Sequence, residues 1–509
     1  MSVFALLERG ARRNDGRPFL ISDQGQTSYP DALQLASGIA RGLRARGFGR
    51  GDHAAILGPN DPNAFLASFG VMGAGLSYVP ANPREAPAAL ARSLDRLDVR
   101  VLFFHSSLAP VLEEIRPALD KVRLFVSLDG EDDTPLAALI DSADRTDLPQ
   151  QSLSDIAFIG QTGGTTGEPK GVLLSHRAVI AYVEKYLAEF PDPQPVMLAA
   201  TPLTHAAGML AMPVVAQGGT IVLMTQPHLP RFLDLIAQHK VTMTFLPPTV
   251  IYRLLDMPDV SARDYSSLRN FFYGAAPASV ERIKQALTVF GPVMTQAYGQ
   301  TECHTLITVM RPADHFTDGR TADDARLSAC GRPTIGTSIA IKDDDGRILA
   351  QGGIGEICVH SDLMMSGYYR DQTATADVIR EGFVHTGDVG FIDADGFLHI
   401  VDRKKDMVIT GGFNVYPAEV EQVVASHPAV GECAVVGLPD PDWGEALTVV
   451  VELKHGAELT EADLIAFCRP RLGGVKTPKR VEFWTEIPRS AAGKVLRKEV
   501  RTRLQKQAS

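Results

Sequence analysis

The chain has 509 residues, of which 45% are apolar and 22% are charged, and its formal net charge is −10. This composition is ordinary for a globular protein and excludes a disordered or fibrous chain. The excess of acidic residues argues against a general nucleic-acid-binding protein, and a chain of this length is expected to form two or more domains.

The five cysteines are scattered, without a Cys-x-x-Cys pair, which is typical of reduced thiols rather than of a disulfide framework or a zinc site. The N-terminus lacks the long apolar core and the cleavage site of a signal peptide. The most hydrophobic stretch, residues 64–81, is interrupted by serine and glycine, whereas a membrane span needs about 20 mostly apolar residues. We therefore expect a buried helix and strand there, no membrane span, and a cytoplasmic location.

Helical patterns alternate with short apolar runs from the N-terminus to about residue 300, which predicts an α/β domain. Residues 30–47 are predicted to form an amphipathic helix, capped by Ser28 with Asp31 three residues later. Residues 52–60 and 100–107 are predicted to be buried strands.

The pattern changes after residue 335, where short strand-like segments follow one another and Asp-Gly turns indicate hairpins. We predict a small β-rich subdomain that ends near Asp402, with strands in residues 338–350, 355–361 and 390–401.

A charged connector, residues 402–406, follows this subdomain, and we place the domain boundary near Lys405. The last segment, residues 468–509, holds twelve Lys or Arg against three Glu, a local charge of about +9. It is either a solvated basic helix or a surface that faces a polyanionic substrate such as a nucleotide.

The strongest local signal lies in residues 155–179, where an apolar strand, 156–159, runs into a loop rich in glycine and threonine. Glycines allow backbone N–H groups to approach a polyanion, threonine hydroxyls add donors, and Lys170 adds a cation. This pattern favours a phosphate-binding loop over a turn without a ligand. It differs from a Walker A loop because the lysine stands in Pro-Lys-Gly. The loop residues are Gly160, Thr162, Gly163, Gly164, Thr165, Thr166 and Gly167.

Five further segments carry groups that suit a nucleotide: small residues for a flat ring, an aromatic face, a carboxylate for a ribose diol, a Gly-Gly pair and a lysine on a loop. Their presence in one chain with the phosphate-binding loop favours a nucleotide-binding protein. They are YGAAP at 273–277, AYGQTE at 297–302, VHTGDVGF at 384–391, DRKKDMVITGGFNVYPAEVE at 402–421 and PRSAAGKVLRK at 488–498.

These six motifs, in this order and spacing, resemble the adenylate-forming superfamily of acyl-CoA synthetases, carrier-protein adenylation domains and beetle luciferases, over essentially the whole chain. The resemblance implies an α/β fold with a large N-terminal domain of several subdomains, α/β layers plus the small β-rich one, and a small mobile α+β C-terminal domain. In this sequence the N-terminal domain would be residues 1–402, the hinge 403–405 and the C-terminal domain 406–509.

The resemblance, which is closest to the acyl-CoA synthetases, implies a two-step reaction. A carboxylate attacks the α-phosphate of ATP to give an acyl-adenylate and pyrophosphate, and a thiol, commonly that of coenzyme A, then displaces AMP. In the first step two anions must meet, and unit charges about 4 Å apart repel by about 4 kcal/mol at an effective dielectric constant near 20. The resemblance gives Lys494 the role of the cation between them, and it gives Glu302 the role of a ligand to Mg²⁺, which prefers oxygen.

The resemblance also implies the remaining nucleotide contacts. They are Thr162, Gly163, Gly164, Thr165, Thr166, Gly167 and Lys170 at the β- and γ-phosphates, Tyr298 with Gly299 and with Gly274, Ala275, Ala276 and Pro277 around adenine, Thr301 at the α-phosphate, and Asp388 and Arg403 at the ribose.

For the second step, the resemblance implies rotation of the C-terminal domain about a hinge at Lys405, which brings Gly411 and Gly412 to line a channel for the pantetheine arm. No covalent enzyme nucleophile is needed, so His176, Cys303 and His304 are not assigned catalytic roles. His205 matches a family position that borders the acyl pocket and the thiol channel, and it is either a catalytic pocket residue or ordinary packing.

The acyl-pocket candidates are small or apolar, with His205 as the one titratable group. They favour a fairly bulky apolar acid over acetate or an amino acid, and leave aryl, medium-chain and polycyclic acids open. They are Ala206, Ala207, Met209, Ala211 and Tyr273.

The phosphate-binding loop departs from the Tyr-Thr-Ser-Gly that is usual in the family, because it has Gln161 and Gly163 in place of the tyrosine and the serine. Loss of one donor to a phosphate costs about 1.5–3 kcal/mol, so the chain could be competent mainly for transfer of a supplied acyl-adenylate to coenzyme A. The sequence also leaves open a free-standing enzyme that loads a carrier protein, a non-catalytic nucleotide-binding protein and a luciferase-like oxidase.

Overall fold

The computed structural model describes residues 2–130, 133–141, 147–162, 169–489 and 495–507. These residues form two compact units. Unit 1 contains the described residues up to Ser338 together with Val359–Val384, and unit 2 contains Ile339–Cys358 and the described residues from His385 onward.

The helices of the described residues are mostly short, and several begin at a proline in the first turn, where the missing N–H costs nothing. In chain order they are α1 (Phe4–Arg13), α2 (Tyr29–Ala45), α3 (Pro62–Gly73), α4 (Pro87–Arg96), α5 (Ala109–Ile115), α6 (Leu136–Asp141), α7 (His176–Glu189), α8 (Ala206–Gln217), α9 (Leu229–His239), α10 (Pro248–Leu255), α11 (Val280–Phe290), α12 (Asp324–Leu327), α13 (Gln372–Val378), α14 (Pro417–Ala425), α15 (Glu461–Lys476) and α16 (Arg497–Gln507).

The strands in the first 310 residues alternate with these helices. They are β1 (Leu20–Ser22), β2 (Gly25–Thr27), β3 (His53–Leu57), β4 (Ser77–Ala81), β5 (Val99–Phe104), β6 (Leu124–Ser127), β7 (Thr134–Pro135), β8 (Ile156–Gln161), β9 (Gly171–Ser175), β10 (Val196–Ala199), β11 (Thr220–Leu223), β12 (Met243–Phe245), β13 (Asn270–Gly274), β14 (Met294–Tyr298) and β15 (Thr308–Met310).

The later strands follow one another with few helices between them. They are β16 (Phe316–Thr317), β17 (Arg320–Thr321), β18 (Arg332–Pro333), β19 (Thr337–Lys342), β20 (Gly355–Ser361), β21 (Gly367–Tyr368), β22 (Ile379–Arg380), β23 (Phe383–Ile392), β24 (Leu398–Arg403), β25 (Val408–Thr410), β26 (Phe413–Val415), β27 (Val430–Asp440), β28 (Gly444–Leu453) and β29 (Arg480–Phe483).

Unit 1 is built on two sheets whose central strands are parallel. One has the order β21-β9-β8-β4-β3-β5-β6-β7 and the other the order β18-β15-β14-β13-β12-β10-β11-β1-β2. The pairs β3–β4, β4–β8, β10–β11 and β13–β14 are all parallel. Every residue of β3 and β4 is buried, as expected for parallel strands that have helices on both faces.

Several local predictions for unit 1 are confirmed. Residues 64–81 form the buried part of α3 and the buried strand β4. The helix predicted at 30–47 is α2, and the Ser28 side chain accepts a hydrogen bond from the Asp31 N–H. The predicted strands at 52–60 and 100–107 correspond to β3 and β5.

Unit 2 contains an antiparallel pair, β27 and β28, with β29 parallel to β28. Side chains on successive residues of a strand point to opposite faces. One face of β27, with Val435, packs on Val424 of α14 and Leu464 of α15, whereas the other face, with Val436, packs on Val500 of α16. This part of the chain is therefore an α+β sandwich of helices about a small sheet.

The β-rich segments of the sequence are observed with one difference. The residues 390–401 lie in β23 and β24, which pair antiparallel about a turn at Gly396. In 338–350, however, β19 ends at Lys342 and the second arm makes one isolated bridge, through Ile348. Ile348 is 67% exposed, so this arm has no core to pack on and does not extend as a strand.

None of the helices in the described part of the chain combines the length and the apolar character that a bilayer span requires. All five cysteines are buried, and no disulfide joins them.

Burial of His176 couples the stability of unit 1 to pH. Its Nδ1 accepts a hydrogen bond from the Val3 N–H at 3.1 Å, and burial lowers the pKa of His176 to about 4. Between that value and the pKa of about 6.5 in an unfolded chain, the unfolded state binds more protons than the folded state. Stability from this residue is therefore present above pH 6.5 and is lost as the pH falls towards 4.

We predict that wild-type protein loses about 2–3 kcal/mol more unfolding free energy between pH 7 and pH 4.5 than the variant His176→Asn. The asparagine amide oxygen can accept the same hydrogen bond but does not titrate. Denaturant unfolding at the two pH values measures the difference. Equal losses in the two proteins would contradict the assignment.

Candidate functional site

The predicted nucleotide segments of unit 1 lie at the carboxyl ends of strands. The phosphate-binding loop follows β8, residues 274–277 follow β13, and residues 299–302 follow β14. Strands β13 and β14 are parallel neighbours, so the segments that follow them lie at one carboxyl edge, where α/β proteins bind ligands. Strand β8 belongs to the other sheet, and the close approach of Gly160 to Thr301 brings its end to the same place.

The described part of the phosphate-binding loop is its stem. The Thr162 N–H donates to the Lys170 carbonyl at 3.1 Å, and the Thr162 hydroxyl accepts from the Lys170 N–H at 3.2 Å. These bonds continue the antiparallel pairing of β8 and β9. The other predicted loop residues, Gly163, Gly164, Thr165, Thr166 and Gly167, lie outside the described residues.

Gly160 and Thr301 bring two of the predicted segments together. A Cβ atom built on Gly160 would lie only 2.5 Å from the Thr301 Cγ2. The position therefore requires glycine, because a larger residue would displace the threonine. The side chain predicted for the α-phosphate consequently lies against the last strand residues before the phosphate-binding loop.

Glu302 is held by a residue that the sequence analysis did not identify. The Tyr368 hydroxyl donates to Glu302 Oε1 at 2.8 Å, and the Lys170 ammonium lies 4.8 Å from the centre of the Tyr368 ring. Burial and the Glu302 charge raise the pKa of Tyr368, so the phenol stays protonated. Tyr368 pairs with Val172 on β9, which explains how a residue 66 positions away reaches this carboxylate.

Strained backbone occurs within one of the two segments predicted for adenine and just after the other. Gly274 pairs with Ala297, and a Cβ on Gly274 would lie 2.4 Å from the Ala297 carbonyl oxygen. Ala275 has a φ of +65°, and Thr305, which follows the 297–302 segment, has the same value. Non-glycine residues in this region are uncommon and cluster at ligand sites. Tyr298 is half-buried at the end of β14.

His205 is the residue before α8, and the residue is partly exposed to solvent, although neighbouring protein surrounds much of its side chain. The pKa of His205 lies below its ordinary value, chiefly because the surrounding protein displaces water and also because the Arg84 guanidinium repels the charged form. The imidazole is therefore mainly neutral at pH 7, and it can accept a proton.

The loop before His205 is fixed by Asn60, which the sequence analysis also missed. The Asn60 amide donates to the Ala199, Thr201 and Met224 carbonyls at 3.0–3.2 Å, and its oxygen accepts from the Leu203 N–H at 2.9 Å. One buried amide thus joins the ends of β3, β10 and β11. Its position after an apolar strand, in Gly-Pro-Asn, was the available signal.

The acyl-pocket candidates do not all lie together. Met209 lines a cavity of about 150 Å³ beside α8, whereas Ala207 and Ala211 are fully buried in the helix packing and Ala206 is partly exposed. Tyr273 is 1% exposed, and its hydroxyl lies 3.0 Å from His315 Nε2. Its ring packs in the core against β14 rather than on the cavity wall, because odd and even residues of β13 face opposite sides of the sheet.

Gln161, the first departure from the usual loop sequence, bonds to the protein at both ends of its amide. Its Oε1 accepts from the Ser93 hydroxyl at 2.5 Å, and its Nε2 donates to the Pro80 carbonyl at 3.2 Å. The amide therefore fixes the start of the loop to β4 and α4.

The three residues near these motifs that were not assigned catalytic roles are all buried. His304 is 1% exposed, and burial lowers its pKa to about 3. Burial also raises the pKa of the Cys303 thiol, so the nucleophilic thiolate is disfavoured. His176 accepts from a backbone N–H, as described above.

Within unit 2, the two residues predicted for the ribose are neighbours. Asp388 and Arg403 are paired across β23 and β24, and Arg403 Nε lies 2.9 Å from Asp388 Oδ1. The Asp388 side chain is 6% exposed and that of Arg403 is 41% exposed. A buried carboxylate with a cation beside it can accept hydrogen bonds from two hydroxyl groups.

The connector after Arg403 is joined at both ends by Arg497, whose side chain is 22% exposed. Arg497 lies 3.4 Å from Asp402, 3.2 Å from Asp406 and 2.5 Å from Glu421, and Asp402 also accepts from the Ala418 N–H at 2.6 Å. Lys405, between the two ends, is exposed. Lys494, three residues before Arg497, lies outside the described residues.

Gly411 and Gly412 form the tight turn between β25 and β26, with φ values of +56° and +81°. Gly411 donates its N–H to the Trp443 carbonyl, whereas a Cβ on Gly412 would meet no atom within 4 Å. The second glycine therefore borders open space, and a side chain there would project outward.

This donor set fits a nucleotide and a hard cation. The Glu302 carboxylate accepts one hydrogen bond from Tyr368, and its other lone pairs can still accept. Mg²⁺ prefers such oxygen ligands over nitrogen or sulfur. Thr301, Thr162 and Lys170 supply two hydroxyls and an ammonium near one strand edge. The chemistry that this arrangement suits is the binding of a phosphorylated nucleotide.

Comparison with known proteins agrees with this geometry. Residues 7–369 match the family model described as AMP-binding enzyme, and residues 419–494 match the AMP-binding enzyme C-terminal domain. A medium/long-chain-fatty-acid–CoA ligase, FadD8 of Mycobacterium tuberculosis, is 34% identical, over 98% of this chain and 89% of that protein. Feruloyl-CoA synthase of an Amycolatopsis species is 36% identical, over 94% of each chain. A fatty acid–[acyl-carrier-protein] ligase, ScoC of Streptomyces coeruleorubidus, is 32% identical, over 97% and 94%.

Solved structures with the same fold include the amide bond synthetase McbA from Marinactinospora thermotolerans, with a TM-score of 0.89 and 32% identity over 98% of this chain and 99% of that chain. ATP-bound MatB from Rhodopseudomonas palustris has a TM-score of 0.90 and 28% identity over the full length of both. The predicted α/β fold with a large N-terminal and a smaller C-terminal domain is confirmed.

The family match covers most of the chain, and the resemblance that the six motifs predicted is confirmed. The chain belongs to the AMP-binding enzymes of the adenylate-forming superfamily, and it is an AMP-forming acid–thiol ligase that binds ATP and AMP.

Proposed function

We propose that the enzyme is an acyl-CoA synthetase, which converts an apolar carboxylic acid to its CoA thioester through an acyl-adenylate. The observation that carries the proposal is the contact of Gly160 with Thr301, because it joins the phosphate-binding loop to the Thr301–Glu302 pair. The names of two relatives, FadD8 and feruloyl-CoA synthase, describe the same type of reaction with apolar or aromatic acids.

In the first half-reaction, Thr162, Lys170 and the loop between them hold the β- and γ-phosphates, and Thr301 donates to the α-phosphate. The role assigned to Lys494 by the family resemblance is that of the cation between the carboxylate and the phosphate, whose charge would reduce the repulsion between them as the new bond forms. The carboxylate oxygen attacks the α-phosphorus, and pyrophosphate leaves with the electron pair of the broken bond.

Glu302 would hold Mg²⁺, which supplies charge neutralisation at the phosphates when it is bound. Tyr368 orients this carboxylate by donating to one oxygen, and its raised pKa keeps the donor in place across the neutral pH range. Tyr298 and residues 274–277 enclose the adenine ring, and Asp388 with Arg403 binds the ribose hydroxyls.

In the second half-reaction the CoA thiol attacks the acyl carbon and AMP leaves. The neutral imidazole of His205 lies beside the acyl wall, where it can accept the thiol proton. Rotation about Lys405 brings the turn with Gly412 to border the pantetheine arm. Arg497 bridges Asp402 and Asp406, which lie on either side of Lys405, so the Asp402 contacts must change when the connector rotates.

The acyl acceptor decides between two related activities. CoA is the proposed acceptor, and the carrier-protein ligase ScoC among the relatives makes a phosphopantetheinyl carrier protein the alternative. Both acceptors present the same pantetheine thiol, so a channel bordered by Gly412 suits either. A cytoplasmic setting, where CoA is abundant and thiols are reduced, is part of this proposal.

The test is to assay the two half-reactions separately. ATP–pyrophosphate exchange is measured with a panel of apolar carboxylic acids, and thioester formation is measured from synthetic acyl-adenylates with CoA or a carrier protein. The proposal expects exchange with at least one acid and thioester formation with CoA. Exchange with no acid and thioester formation with no adenylate would overturn it.

Restoring the missing hydroxyl of the phosphate-binding loop should speed the first half-reaction. We predict that Gly163→Ser raises the rate of ATP–pyrophosphate exchange by about ten- to a hundredfold, because one hydrogen bond to a charged phosphate contributes about 1.5–3 kcal/mol. Adding Gln161→Tyr should bring no further gain, because it removes the bonds to Ser93 and Pro80.

Exchange that is unchanged in both variants would show that the departure at residue 163 does not limit adenylation. Wild-type enzyme that forms thioester from a supplied adenylate but shows no exchange would instead favour an enzyme competent for thioester formation alone.

A side chain at Gly412 should separate the two half-reactions. We predict that Gly412→Leu reduces thioester formation by on the order of a hundredfold, as expected when a reacting group is displaced by about 1 Å, and leaves adenylate formation within about threefold of wild type. The matched control is Gly396→Leu, because Gly396 has a φ of +82° and also no atom within 4 Å of its Cβ position.

The control carries the same backbone strain on the turn between β23 and β24, so it should leave the ratio of the two half-reactions unchanged. Equal losses of both half-reactions in Gly412→Leu would refute the channel assignment.

A further inference from the structure

The cavity of about 150 Å³ in unit 1 lies between the carboxyl edges of the two sheets. Its wall includes residues that follow two parallel strands of each sheet, together with residues of α3 and α8. The carboxyl edge of a parallel sheet is the usual place for a ligand in this fold class. The post-strand wall residues fall within 58–60 after β3, 83–84 after β4, 200–204 after β10 and 224–227 after β11.

The buried part of the cavity wall is mostly apolar and adaptable. Val3, Met72 and Met212 are 0–5% exposed, and they line it together with Tyr78 and with Ser68, whose hydroxyl donates to the Phe65 carbonyl. Met209 and Met224 also line the wall, so four of its side chains are methionine. Methionine is unbranched and flexible, and it adapts to ligands of irregular shape. The Asn60 amide on the wall bonds to backbone groups through both its nitrogen and its oxygen.

One end of the cavity is polar and positively charged. Among the described lining residues, Arg84 is the one charged side chain, and it is exposed. The Thr204 hydroxyl is buried and has no hydrogen-bond partner in the described part of the chain. A buried hydroxyl without a partner is costly, so it favours a ligand that supplies one. His205, whose charged form Arg84 repels, follows Thr204 directly.

We propose that this cavity holds the apolar part of the acid substrate, with the carboxylate at the Thr204 end, next to His205. This assignment rests on the proposed function. In this assignment the acyl pocket is the methionine-lined cavity beyond Met209, and Tyr273, Ala207 and Ala211 do not form its wall.

The volume of the cavity limits the size of the acid that can bind. An apolar protein cavity of about 150 Å³ stays dry and binds benzene, so this one takes a phenyl ring or a chain of about six carbon atoms. The enzyme is therefore selective for phenyl-bearing and medium-chain acids. Acetate leaves the cavity empty, and a chain of about sixteen carbons exceeds it.

The test compares hexanoate with acetate in wild type and in Met212→Trp, whose indole fills the buried part of the cavity. The ratio of kcat/KM for hexanoate to that for acetate should fall at least tenfold, because each buried methylene contributes roughly fourfold in affinity. Met212→Leu, which keeps the volume, should retain the ratio within about threefold. Binding of 3-phenylpropanoate without ATP, measured by calorimetry, should fall in parallel.

Equal binding of 3-phenylpropanoate to wild type and to a folded Met212→Trp overturns the cavity assignment, whether or not the enzyme turns over. If Met212→Trp does not fold, Met209→Ala replaces it. That variant enlarges the cavity and should shift the preferred chain length upward, and an unchanged chain-length profile also overturns the assignment. Failure of every acid in the half-reaction assays overturns the proposed function instead, and the binding measurement then decides the cavity separately.

Discussion

The direction of the parallel strands is the constraint on which the site of unit 1 depends. Parallel pairing of β4 with β8 and of β13 with β14 sends the loops after β8, β13 and β14 to the carboxyl edges of their sheets. These edges leave backbone N–H groups, small residues and hydroxyls facing a ligand, while the strands themselves are buried on both faces. Gly160 and Gly274 are required there because neighbouring atoms would lie within 2.5 Å of a Cβ.

The chemistry adds a second constraint, since a carboxylate has to approach a polyanion. The described residues meet it with placed hydroxyls, with Lys170 and with a carboxylate fixed by Tyr368, and the proposal adds Lys494 as the bridging cation. Unit 2 contains the Asp388–Arg403 pair and a connector whose two ends share Arg497. Asp388 and Arg403 lie on the paired strands β23 and β24, and Arg497 is the first residue of α16.

The fold class and the six motifs could be predicted because they depend on local pattern: apolar strands, glycine-rich turns and residue order. The roles of Tyr368, Asn60 and Arg497 could not be predicted, because each side chain acts on groups far away in the chain, although Asn60 follows an apolar strand and Arg497 lies within the 488–498 motif. The position of Tyr273 in its motif suggests a pocket wall. Its ring is buried in the core instead, because successive residues of a strand face opposite sides of the sheet. The sequence pattern predicts Ile348 to be a strand residue, yet its side chain is 67% exposed and it makes one isolated bridge.

The most direct test of the account is a crystal structure with a hydrolysis-resistant analogue of an acyl-adenylate. The account predicts the adenine ring against Tyr298 and residues 274–277, the phosphate mimic within hydrogen-bond distance of Thr301, and the acyl group extending past Met209. An analogue bound away from the carboxyl edges of β13 and β14 would contradict it.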